Sequence, residues 1–135
     1  PNISVISQYT EQIDNNIFKT MKRYLPGPYT FILKSNKYVQ KFFKNNKEEI
    51  GVRIPKSEIL DALQEFLEAP LISTSLNTHN GVQNYFTDPD EIENVFQHTV
   101  DMLLDGGNGD NAESTVLDCT GEEIELIREG KGQVD

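Results

Sequence analysis

Pro26-Gly27-Pro28-Tyr29-Thr30-Phe31-Ile32-Leu33 is the stretch on which the fold turns. Two prolines around a glycine make a rigid corner with one free hinge, because proline fixes φ and lacks an N–H while glycine is conformationally permissive. The Tyr, Thr, Phe and Ile that follow favour a strand. A corner feeding a buried strand holds Thr30 near the strand's mouth, within reach of a ligand; the plainer reading is a helix-to-strand turn and nothing more. Upstream, Ile13, Ile17, Phe18, Met21 and Leu25 recur at helical spacing, predicting an amphipathic helix over Glu11–Leu25 that ends before Pro26. Residues 1–10 read as a loop or frayed strand.

Downstream, Ile50-Gly51-Val52-Arg53-Ile54-Pro55 reads as a short strand stopped by proline. Arg53 either sits on the solvent face by alternation or points into a ligand pocket, since a core arginine is costly without an anion. Val39–Phe43 is too short to assign. Lys56–Glu68 is the clearest helix, with Ser57 as its cap. Leu71–Asn77 reads as a strand running into a polar loop, and Ser73 and Ser75 are hydroxyls able to donate to phosphate or carboxylate oxygens. An ordinary Ser/Thr-rich turn reads equally from these residues. Asn80-Gly81 signals a turn. Thr87-Asp88-Pro89-Asp90-Glu91 starts a helix reaching about Gln97. Val100–Leu104 and Ser114–Asp118 read as strands, Asp105–Asp110 as a loop, and Glu123–Arg128 as a last strand.

The 135 residues amount to one domain's worth of chain, and the single domain is assigned to residues 1–135. Residues 1–57 hold ten Lys/Arg and four Asp/Glu, a balance of +6; residues 58–135 hold two and eighteen, a balance of −16. That asymmetry suggests an anionic ligand on one face and a solvated opposite face; the acids read more simply as solubilising exposed helix surfaces, and charge alone does not decide the role of the basic half. No apolar run is long enough to span a membrane. Cys119 alone excludes an internal disulfide framework and suits a cytoplasmic setting. It reads as an unreactive small hydrophobe. His79, His98 and Cys119 form no familiar metal spacing. His98 reads as a helix-end residue, and His79 as a loop residue without a catalytic role.

Four separated stretches line up in order. Pro26-Gly27-Pro28-x-Thr30-Phe31-Ile32-Leu33, Val52-Arg53-Ile54-Pro55, Ser73-Thr74-Ser75-x-Asn77, and Ser114-Thr115-Val116-Leu117-Asp118 with Arg128-Glu129-Gly130 together resemble YrdC-like domains, most of all the YciO branch. The resemblance implies an α/β fold, an open twisted mixed sheet with helices packed on it and a cationic concave face. It implies a nucleotidyltransferase activity: threonylcarbamoyl-adenylate synthesis from ATP (with Mg2+), L-threonine and bicarbonate, feeding tRNA modification. Its alternative is a tRNA- or double-stranded-RNA-binding module without turnover. By motif, Arg53 would meet the threonine carboxylate, with Ser73, Ser114 and Thr30 lining the threonine site. Ser75, Asn77 and Arg128 would serve the nucleotide. No residue of this chain is expected to be a covalent catalyst or a metal ligand.

Family members carry a preceding segment with a Tyr-Pro-Thr strand and a Lys-x-Arg stretch, and neither occurs here. Because the sequence starts without methionine and in mid-pattern, it is expected to be a fragment rather than a naturally shortened protein. On its own it is expected to be inactive as a synthase and to self-associate, as a homodimer for instance. Leu76 replaces the alanine of the synthases' Ser-Ala-Asn and is expected to make the pocket bulkier.

Overall fold

The computed structural model describes residues 2–43, 48–78 and 85–135. His79, the Asn80-Gly81 turn, Lys44 and Lys47 lie outside the described residues. The chain forms two compact units, residues 1–62 with 113–135, and residues 63–112.

In the first unit, α1 (Ile3–Ile6) is a single turn, against the expected loop or frayed strand. The Asn2 side chain accepts from the Ser4 N–H at 3.0 Å, supplying an end cap that the short apolar run does not advertise. Helix α2 (Asn15–Tyr24) starts later than its periodicity suggests. Asp14 takes an extended conformation, and its carboxylate accepts from the Asn16 N–H. Lys22 and Arg23 sit in the last turn, where they oppose the dipole. Then comes the Pro-Gly-Pro corner. The Gly27 N–H donates to the Ile54 carbonyl at 2.9 Å, and a Cβ on Gly27 would sit 2.5 Å from the Tyr24 carbonyl oxygen. Only glycine lets the chain turn that tightly.

Strand β1 (Tyr29–Lys34) alternates buried Tyr29, Phe31 and Leu33 with half-exposed Thr30 and Ile32. It leads through Asn36, whose side-chain oxygen accepts from the Tyr38 and Val39 N–H groups, into α3 (Lys37–Phe43). Strand β2 (Glu49–Val52) stops one residue short of Arg53. Helix α4 (Glu58–Gln64) is shorter than the pattern over 56–68, and Ser57 caps it as expected. After the second unit the chain returns as β3 (Thr115–Asp118) and β4 (Glu125–Arg128).

The sheet order is β2-β1-β3-β4. β1 runs antiparallel to β2 and parallel to β3, and β3 antiparallel to β4. This is an α/β unit on an open mixed sheet. One sheet face is covered: Phe31, Leu33, Leu117 and Cys119 pack with Ile6, Met21, Leu25 and Ile54, and Phe31 and Met21 are wholly buried. The other face carries Thr30, Ile32, Val116 and Asp118, all half-exposed.

The second unit contains α5 (Pro89–Phe96), which starts where the sequence says, with the Asp88 carboxylate accepting from the Asp90 N–H at 2.9 Å. The strands expected at Leu71–Asn77 and Val100–Leu104 do not form. Outside the isolated Asn77–Tyr85 bridge, neither segment lies beside another strand. Leu71, Ile72, Met102 and Leu104 are each more than half exposed. β-propensity is fit to a pleated, partnered surface, and without the partner it is not expressed.

Candidate functional site

The residues singled out in the first unit gather at one end of its sheet. Pairing is in register from Phe31↔Val52 to Lys34↔Glu49, so one further step sets Arg53 opposite Thr30. On the other side of β1, Thr30 lies beside Val116, and Val116 lies beside Arg128. A single row across the sheet therefore runs Arg53, Thr30, Val116, Arg128. Ser114 stands just before β3, on the same face as Val116 by alternation.

Side chains close the row. Thr30 Oγ1 and Ser114 Oγ are 2.8 Å apart. Arg128 donates from Nη2 to Ser114 Oγ at 3.1 Å, and from Nε and Nη2 to the Ser114 carbonyl at 3.0 and 2.9 Å. Behind it, the Glu113 carboxylate lies 3.2 Å from Arg128 Nε. Among the described residues, Arg53 is exposed and makes no hydrogen bond or ion pair. The two arginines thus differ: Arg128 is largely satisfied within the protein, and Arg53 is free to take an anion, for which its planar fork suits carboxylate or phosphate.

Two supports escaped the sequence reading. Glu113 is one. The other is Thr115, fully buried, which donates to the Gly132 carbonyl at 2.6 Å and accepts from the Gly130 N–H at 3.0 Å. They explain the glycine of Arg128-Glu129-Gly130: a Cβ at Gly130 would lie 2.5 Å from the Glu113 carbonyl oxygen. The chain after β4 passes so close to residues 113–114 that no side chain fits. An apolar-flanked Ser-Thr pair and an Arg-x-Gly triplet were visible in the sequence; their mutual contact was not.

Ser73, Ser75 and Asn77 belong to the second unit and are exposed. A cleft of about 300 Å3 in that unit is lined by Leu76, Ile92, Phe96 and Met102. Another of about 300 Å3 in the first unit is lined by Phe18, Lys22, Leu25 and Ile54. Neither cleft includes Thr30, Arg53, Ser114 or Arg128. We rest the site on the polar row, because hydrogen-bonded hydroxyls beside a free guanidinium define chemistry that a shallow apolar hollow does not. Cys119 is buried, and burial, then the neighbouring Asp118 charge, push its thiol up to about 11. It is therefore a protonated core residue at neutral pH. His98 is exposed just past the end of α5.

Residues 1–130 match the family model for Sua5, YciO and YrdC, described as "Telomere recombination". The chain belongs to the Sua5/YciO/YrdC family. Over 134 residues it is 37% identical to "Uncharacterized protein YciO" of Escherichia coli K12, covering 98% of this chain and 64% of that one. The chain thus spans a little under two thirds of that relative's length. The crystal structure of E. coli YciO superposes with a TM-score of 0.86 over the same shares. The structure of P. abyssi Sua5 complexed with L-threonine superposes with a TM-score of 0.81 at 26% identity, covering 96% of this chain and 38% of Sua5. A Methanocaldococcus jannaschii protein named "Putative threonylcarbamoyl-AMP synthase" is 34% identical over 113 residues, covering 83% of this chain and 51% of that protein. The mixed α/β sheet expected from the resemblance is the family's fold.

Proposed function

We propose that this Sua5/YciO/YrdC chain binds L-threonine and a nucleotide for threonylcarbamoyl-AMP synthase-type chemistry. The observation that carries the reading is the row Arg53, Thr30, Ser114, Arg128 in a chain similar to a Sua5 that holds L-threonine. Arg53 takes the threonine carboxylate, and the hydroxyls of Thr30 and Ser114 orient the amino acid. The Nη1 edge of Arg128, which makes no bond among the described residues, serves the nucleotide; for Ser73, Ser75 and Asn77, in the second unit, ligand roles rest on their motif alone.

The chemistry needs no side-chain nucleophile. The threonine nitrogen attacks the carbon of bicarbonate and a water is lost, giving a carbamate; the carbamate oxygen then attacks the α-phosphate of ATP, and pyrophosphate leaves. Holding the two reactants together and meeting the developing charge supply the acceleration. In this reading Mg2+ comes with ATP, since it binds through substrate phosphates and keeps several waters.

The test is pyrophosphate release from the protein carrying this chain, given ATP, L-threonine and bicarbonate. Release that depends on both threonine and bicarbonate supports the reading. Threonine binding without release leaves a binding domain, and neither binding nor release ends it. Arg53→Ala is expected to weaken L-threonine by about 10- to 100-fold, the scale of a charge-assisted hydrogen-bond pair.

A second reading, contact with tRNA or double-stranded RNA, draws on α3. Lys37, Tyr38, Lys41 and Phe42 are all exposed there, cations interleaved with aromatic rings. Filter binding across salt separates this reading from the first: a steep loss of RNA affinity with salt supports it, and no binding at low salt removes it.

A further inference from the structure

Arg128 is not arranged as a free ligand hook. Two of its three nitrogens are committed to Ser114, and the Glu113 carboxylate makes an ion pair with Nε at 3.2 Å. We infer that Arg128 and Glu113 form a brace that acts on the amino acid through Ser114, setting the hydroxyl pair as a hydrogen-bond donor; this deepens the amino-acid reading above and rests on it.

A serine hydroxyl has one hydrogen and two acceptor sites. Arg128 Nη2 occupies one of Ser114's acceptor sites, and the direction of that bond cannot reverse, because a guanidinium accepts nothing. Thr30 Oγ1, at 2.8 Å, shares a single hydrogen with Ser114 Oγ. If Thr30 donates, both acceptor sites of Ser114 are filled and its own O–H is left for a ligand. If Ser114 donates, the O–H of Thr30 is left instead. Either way one O–H stays uncommitted, as in any pair of hydroxyls that shares a hydrogen; Arg128 adds the positive charge beside it and takes one of the acceptor sites of Ser114.

Charge also selects the ligand. Glu113 offsets Arg128, so Arg53 is the uncompensated cation of the row, which matches one carboxylate better than a chain of phosphates. Glu113 and Arg128 are thus positioning residues for the amino acid. Gly130 is what lets β4's end lie close enough to bring them together.

A double-mutant cycle separates the outcomes, with L-threonine as the titrant and its neutral amide as control. Ser114→Ala and Arg128→Gln should each weaken L-threonine by about tenfold, the scale of one hydrogen bond. The double variant should be no weaker than Ser114→Ala alone, because the brace works only through that hydroxyl. Losses that multiply to about a hundredfold overturn the inference, since Arg128 would then touch the ligand itself. Arg128→Lys should behave as Arg128→Gln, because an ammonium lacks the fork.

A second readout needs no ligand. In nitrogen-15 NMR the Arg128 Nε–H should exchange slowly with water and quicken in Glu113→Gln. Exchange in the wild-type chain as fast as at Arg53 Nε–H overturns the brace. If L-threonine binds to none of the proteins, the amino-acid reading fails and the NMR arm still judges the brace.

Discussion

The two compact units of this chain are opposites in charge and in order. Residues 1–62 and 113–135 carry all twelve Lys/Arg and thirteen Asp/Glu, close to balance; residues 63–112 carry no Lys/Arg and nine Asp/Glu. The linear sequence suggested a basic first half and an acidic second. Folding redraws that border, because β3, β4 and the acids around them join the first unit. The excess negative charge belongs to the second unit, and the cations of α2 and α3 share their unit with compensating acids. The first unit also holds the whole sheet, whereas two strand-like segments of the second stay unladdered with their apolar residues exposed. Identical propensities thus give structure only where a neighbouring strand completes the hydrogen bonds.

The sharpest way to break this contrast is to truncate an apolar side chain in each unit. Phe31→Ala in β1 removes a wholly buried ring and should cost about 3–5 kcal/mol in urea unfolding. Met102→Ala, at a position 75% exposed, should change stability by less than about 0.5 kcal/mol. Equal costs would mean that the second unit buries a core of its own around Met102. Next in size is Gly130→Ala. Its Cβ would meet backbone of Glu113 and Ser114, atoms that cannot swing aside, so a loss of about 2–3 kcal/mol is expected, read as a lowered melting temperature. Thr115→Val keeps the shape but strands the Gly132 carbonyl and the Gly130 N–H, at about 1–3 kcal/mol.

Smaller effects probe each unit separately. Asp88→Ala removes the cap of α5 and should cost about 1 kcal/mol of the second unit's stability, followed by loss of helical circular dichroism. For the first unit, pH is the lever. The folded Cys119 thiol holds its proton up to about 11 against an ordinary 9.0. Below about pH 9 both folded and unfolded thiols are protonated and this contribution to stability is complete. Between 9.0 and about 11 the unfolded chain releases the proton first, so stability falls as pH rises. Cys119→Ala should remove that fall. A urea midpoint declining equally in both proteins from pH 8 to 10 would count against it.

Much of the first unit was legible in the sequence. β1 (Tyr29–Lys34) grows from the Tyr-Thr-Phe-Ile run read as a strand, and the Pro-Gly-Pro corner is where the punctuation placed it. Ser57 and Asp88 cap helices as read, because capping is a local bond. What could not be read was non-local. The register that sets Arg53 opposite Thr30, and the Glu113 carboxylate behind Arg128, depend on pairings between distant parts of the chain. The failed strands at 71–77 and 100–104 have the same cause, since propensity carries no information about a partner.

The parallel seam between β1 and β3 joins Tyr29 to Thr115, positions 86 apart in the chain, with the second unit lying between them in sequence. Each flank of the sheet, β2 on β1 and β4 on β3, can form by shorter closures, whereas the seam must close a loop that contains an entire acidic insertion. The Thr30–Ser114 contact sits on that seam. Of the sheet's pairings, closing that seam carries the greatest loop-closure cost, and a ligand bound there would act as a latch on the two halves of the sheet.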